Sequence, residues 1–175
     1  MYQRILVPID GSPTSTRGLQ EAIRLAMLTK GRLRLIHVID ELSFALGMDA
    51  YAGYGGNWLQ LLRDKGTRVL EQAKAAVVAT GVGVETTLND TFSDAVHLVV
   101  TAEADRWPAD LIVLGTHGRR GVGRMVMGSS AENILRYSTV PVLLVRAPES
   151  GSNAGAESPL APAHRTMPAG AVAME

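Results

Sequence analysis

Glycine, arginine and serine are concentrated in one stretch of this chain. It runs Gly115-Thr116-His117-Gly118-Arg119-Arg120-Gly121-Val122-Gly123-Arg124 and closes on Gly128-Ser129-Ser130. The chemistry these residue types share is the holding of an anion. Glycines let backbone N–H groups approach an oxyanion with no Cβ in the way and reach positive φ. Arginines add charge-assisted hydrogen bonds that match phosphate oxygens. His117 lies among them and offers a further phosphate donor, but no orienting partner marks it as a general base. The stretch is not a P-loop, because G-x-x-x-x-G-K-[ST] occurs nowhere, and it is not G-x-G-x-x-G, because Gly121-x-Gly123 leads to Val126.

The flanking elements say how such a loop is positioned. Leu111–Leu114 is a short branched apolar run, the pattern of a buried strand. Ala131, Ile134 and Leu135 recur at helical spacing. Ser129 with Glu132 has the form of a capping box, which predicts a helix over Ser130–Tyr137 with its start at that serine. Strand, glycine loop and free helix N-terminus together make a phosphate cradle, since the helix start supplies orphan N–H donors and partial positive charge.

The rest of the chain alternates in the same way. Strands are predicted at 4–9, 32–39, 82–88, 111–114 and 140–145, and helices from Pro13 to about Thr29, from Trp58, over 93–104 and after the loop. Pro13 suits a first helical position, Asp10 reads either as a cap or as a site residue, and Gly31 ends the first helix. Gly66 costs the second helix about 1 kcal/mol relative to alanine. Glu41–Asn57, rich in glycine and aromatic residues, reads as a lid-like segment. Alternating β and α with apolar strands predicts an α/β fold with a doubly wound parallel sheet and right-handed crossovers.

Gly115-x-x-Gly118, nine residues, then Gly128-Ser129 closely resembles the nucleotide-binding signature of the universal stress proteins, in their ATP-binding subgroup. Asp10 after the first strand, His37-Val38 at the end of the second and the closing Pro141–Val145 run extend the resemblance from Met1 to about Arg146. It implies a flavodoxin/Rossmann-like five-stranded parallel sheet of order 3-2-1-4-5, with ligand at the switch point between the first and fourth strands. It further implies that Gly115, Thr116, His117, Gly118, Arg119, Arg120, Gly128, Ser129 and Ser130 surround the phosphates and ribose. Asp10 would stand on the adenosine and metal side, with Mg2+ carried by ATP, while Val38 would meet adenine through its backbone and Pro8 would lie beneath. The family also pairs its last strand, here Val140–Val145, with a second copy as a homodimer. An apolar edge strand fits that role.

Composition narrows the class. The chain has 175 residues, equal numbers of basic and acidic side chains and no cysteine. One domain is expected over 1–147, with no disulfide, thiolate metal site or cysteine catalysis. Neutral charge gives no general attraction to nucleic acid or anionic membrane, and no apolar run is long enough to span a bilayer. A strand begins almost at Met1 with no secretory h-region, so a cytoplasmic location is expected. Residues 148–175, rich in Gly, Ala, Ser and Pro, read as a disordered tail. The leading expectation is an ATP-binding regulatory dimer with an unknown protein partner, at most a slow ATPase. The alternatives are a nucleotide-free dimeric scaffold and a nucleotidyl transferase-like enzyme; Asp10-Gly11-Ser12-Pro13 offers the latter little phosphate loop after its first strand.

Overall fold

The computed structural model describes residues 1–40, 58–91, 94–116 and 127–146. Among them the order is β1 (Arg4–Pro8), α1 (Pro13–Thr29), β2 (Arg32–Val38), α2 (Trp58–Val78), β3 (Gly83–Asn89), α3 (Val96–Arg106), β4 (Leu111–Gly115), α4 (Ser129–Tyr137) and β5 (Val142–Val145). The five strands form one sheet in the order β3-β2-β1-β4-β5. All four pairings are parallel, with Ile5 beside both Leu33 and Leu111 and Ile112 beside Val142. This is the flavodoxin-like order that the family resemblance implies.

Period-two alternation divides the sheet between two apolar layers. On one face Ile5, Val7, Leu33, Leu35, Leu111 and Val113 pack against Leu19, Ala22 and Ala26 of α1 and Leu70, Ala73 and Val77 of α2. On the other, Leu6, Ile36, Ile112 and Leu114 pack against Val99, Val100 and Ala104 of α3 and Ala131 and Ile134 of α4. β1 and β4 are buried on both faces, which is why their sequences are apolar without interruption. β3 and β5 are the edges. β3 is polar and half-exposed as its alternation predicts.

Helix ends depart from the sequence reading in instructive ways. α1 begins at Pro13, but its N-cap is Ser12, whose hydroxyl accepts from the Ser15 N–H, not Asp10. Its left-handed C-cap is Lys30 (φ 54°), not Gly31. Gly31 is required for another reason: a Cβ there would stand 2.8 Å from the Tyr2 carbonyl oxygen. The capping box of α4 does not form. Ser129 is the first helical residue, Gly128 is the N-cap with no side-chain hydrogen bond, and Glu132 pairs with Arg136 instead. The third helix begins at Val96 rather than 93. Positions 41–57, read as a lid, and 148–175, read as a tail, lie outside the described residues.

Candidate nucleotide site at the sheet switch point

All the described site candidates gather at the carboxyl ends of the strands. Pro8 ends β1 with Asp10 two residues beyond, Val38 ends β2, and Gly115-Thr116 ends β4. Because β1 and β4 are neighbours whose crossovers run to opposite sides, this end of the sheet opens a crevice between them. Gly128, Ser129 and Ser130 stand at its β4 side, because the Gly128 N–H donates to the Thr116 carbonyl (2.9 Å). The Thr116 N–H in turn donates to the Val145 carbonyl (3.0 Å). The two ends of the glycine loop are thereby pinned together at the sheet. His117, Gly118, Arg119 and Arg120 lie outside the described residues.

Two helix N-termini face this region, and they differ. The first turn of α1 is satisfied from within: the Ser12 hydroxyl takes the Ser15 N–H (3.1 Å), and the Ser12 carbonyl takes the Thr16 N–H (3.0 Å) and both hydroxyls. α4 has no side-chain cap, and its first intrahelical bond is from the Glu132 N–H to Gly128 (3.0 Å). The amides of Ser129, Ser130 and Ala131 precede that bond and have no intrahelical acceptor. Ser129 and Ser130 are exposed. Both helix starts carry the positive end of a dipole, but the Ser15 amide of α1 is taken by its own cap whereas α4 has no side-chain cap.

Asp10 is held in the turn before α1. Its carboxylate accepts from the Ser12 N–H (2.9 Å), and its own N–H reaches the Ser15 hydroxyl (3.4 Å). Val38 packs against the α3–α4 layer. Gly115 serves packing as well as any ligand: a Cβ on it would lie 2.6 Å from the Thr14 carbonyl oxygen. The α1 backbone occupies that space, so Gly115 contributes to the site by letting α1 close onto β4. Sequence reading missed this role of Thr14 and did not single out Ser12 as the cap within Asp10-Gly11-Ser12-Pro13. The signal available was Ser12-Pro13, a cap residue followed by an N1 proline.

A second polar cluster lies away from the crevice. Glu103, 4% exposed, accepts from Arg34 (2.7 Å) and Arg106 (3.0 Å), and Arg34 also pairs with Glu85. The Arg34 guanidinium stacks over Trp107, 4.9 Å from the ring centroid. Burial alone would lower the Arg34 pKa, but the hydrogen bonds it donates to Glu85 and Glu103 outweigh it and the net shift is upward. Glu85 is held below the usual carboxylate range, first by its hydrogen bond from Arg34. His37 is buried, and His97 stacks on Tyr137 (5.3 Å between centroids). Among the described residues no group of three His, Cys, Asp or Glu could hold a metal ion, and no helix is long and apolar enough to cross a membrane.

The chain is similar to universal stress protein MJ0531 of Methanocaldococcus jannaschii, at 32% identity over 152 residues and 85% of each chain. The solved structure of hypothetical protein MJ0577 matches with TM-score 0.71 at 25% identity, over 86% of this chain and 99% of that one. Two further structures share the fold. One is a universal stress protein in complex with cAMP (TM-score 0.58, 23% identity, 83% of this chain and 97% of that). The other, from Archaeoglobus fulgidus, is in complex with dAMP (TM-score 0.60, 21% identity, 82% and 97%). The sequence model of the universal stress protein family matches residues 1–146, and with it the strand order and the glycine-bounded crevice find their place: the chain belongs to the universal stress protein family.

Proposed function

We propose that this protein binds ATP, accompanied by Mg2+, in the crevice between β1 and β4 and acts as a nucleotide-dependent regulatory dimer. One observation carries the reading. Of two helix N-termini at the switch point, the α4 start has no side-chain cap and stands where the glycine loop closes on β4. Its amides and the hydroxyls of Ser129 and Ser130 would receive phosphate, while Asp10 and the ends of β1 and β2 would receive the nucleoside and the metal. Adenine nucleotides bound by two proteins of the same fold, cAMP and dAMP, support the ligand class. Arg119, Arg120 and His117 favour the longer phosphate chain of ATP over a monophosphate. With no three-ligand metal site among the described residues, Mg2+ would arrive on the nucleotide. In this reading the nucleotide is sensed, with hydrolysis slow at most.

Calorimetric titration of nucleotide-stripped protein with Mg-ATP, AMP and cAMP tests this, alongside Ser129→Glu. A carboxylate in the first turn suits the helix dipole, so the fold is retained. Beside phosphate it is repulsive, and two like charges 4 Å apart cost about 1 kcal/mol in water and about 4 kcal/mol near a protein surface. Wild type binding Mg-ATP at least tenfold more tightly than the variant is expected. Folded wild type that binds none of the three sinks the reading.

The dimer would form through β5. It is an edge strand of four apolar residues, with Leu143 38% exposed. Leu143→Glu places a charge on that edge and is expected to give a monomer in sedimentation, whereas an unchanged wild-type mass in the variant removes β5 as the interface.

A further inference from the structure

Ile9, one residue past the end of β1, is held by β2 twice. Its N–H donates to the Ile36 carbonyl (2.8 Å), and its own carbonyl lies 2.6 Å from Nδ1 of His37. A carbonyl oxygen only accepts, so Nδ1 carries the proton of this bond. The imidazole thus adds a side-chain rung one residue beyond the last strand pair, Pro8 with Ile36. The next residue is Asp10, whose carboxylate takes the Ser12 N–H at 2.9 Å. Asp10 is therefore braced on the α1 side by Ser12, and the peptide leading into it is braced on the β2 side by His37.

The ring is itself clamped. His37 is 4% exposed, and α2 crosses it at Gly66. A Cβ on Gly66 would stand 2.8 Å from His37 Cδ2, 2.8 Å from Leu88 Cδ1 and 3.3 Å from His37 Nε2. The glycine that weakens the helix by propensity is what lets the helix lie against the imidazole.

We propose that His37 is a positioning residue for nucleotide binding: through the Ile9 carbonyl it fixes where Asp10 stands in the crevice. This rests on the nucleotide reading above. Three variants of the full chain separate the donor from the bulk. His37→Asn places an amide N–H where Nδ1 stands, His37→Leu removes the donor, and Gly66→Ala keeps the histidine but crowds its ring, and Leu88 beside it, with a methyl group at 2.8 Å.

Mg-ATP titration at 25 °C, with urea unfolding in parallel, reads affinity and stability separately. His37→Leu and Gly66→Ala are each expected to weaken Mg-ATP about tenfold, the lower end of what orienting partners of ligand-binding groups contribute. His37→Asn keeps wild-type affinity although it loses ring packing and stability. A purely structural histidine would lower stability in every variant and leave the affinity of the folded protein alone. Where His37→Leu fails to fold, the other two variants decide. Wild-type affinity in folded His37→Leu or in Gly66→Ala, or an equal loss in His37→Asn, overturns the inference with the nucleotide reading intact. Wild type that binds no Mg-ATP overturns both.

Discussion

Gly115 joins strand β4 to the glycine loop, and its lack of a side chain can be assigned to packing by a single substitution. An ideal Cβ at Gly115 would fall 2.6 Å from the Thr14 carbonyl oxygen, 2.7 Å from the Thr14 carbonyl carbon and 2.9 Å from the Thr14 Cβ. These are atoms of the first turn of α1, and backbone cannot rotate aside as a flexible side chain can. Nor can the helix back away cheaply. Gly18, one turn on, sits with its own Cβ position 3.2 Å from the Gly115 nitrogen, so the two glycines share one contact. Overpacking costs about 1–3 kcal/mol and more where backbone must move. The lost freedom of the unfolded chain returns only about 0.4–1 kcal/mol on Gly→Ala. The net for Gly115→Ala is therefore a loss of about 2 kcal/mol or more. At roughly 2–4 °C per kcal/mol for a domain of this size, the melting temperature falls by about 4–8 °C. Gly83→Ala is the control, because its Cβ would meet only the Arg32 Cβ at 3.6 Å, an ordinary contact. Thermal and urea unfolding by circular dichroism, both without nucleotide, measure the pair. If Gly115→Ala proves as stable as Gly83→Ala, the α1–β4 contact does not explain Gly115.

Two further outcomes follow from the charged cluster on the α3 face. Glu103→Ala removes the buried partner of Arg34 and Arg106, and breaking such a pair costs about 3 kcal/mol; a urea midpoint within error of wild type would show that Glu85 alone satisfies Arg34. Glu85 has a folded pKa below its unfolded one, so its contribution is present above the ordinary carboxylate range and is lost as pH falls through the depressed value. Wild type should therefore lose more stability than Glu85→Gln between neutral pH and the acid side of that range, and parallel stability–pH curves would refute this.

The fold was legible because its signals are local. Apolar runs at Arg4–Pro8 and Leu111–Gly115, separated by helical periodicity at Leu19, Ala22 and Ala26, permit little but buried parallel strands with crossover helices. Caps were less legible. Ser129 and Glu132 have capping-box spacing, yet Gly128 takes the N-cap because its N–H is drawn to the Thr116 carbonyl. That bond joins residues 12 apart in the chain, and no local pattern carries it. Ser12 likewise displaces Asp10 as the α1 cap, leaving the Asp10 carboxylate to brace the turn.

By itself, then, the sequence determined the class of sheet and the residue types gathered in the loop after its fourth strand, since periodicity and glycine–arginine composition are properties of neighbours along the chain. The tertiary structure decided which of those residues are spent on the fold. Gly115 is a glycine for Thr14, and Gly66 for His37 and Leu88, because a Cβ in either place would overlap an element far away in sequence. It also decided that α4, not α1, presents an uncapped helix start, and that a histidine of β2 holds the carbonyl leading into Asp10. Such contacts arise only when a crossover returns the chain to a neighbouring strand, and no spacing within either segment encodes them.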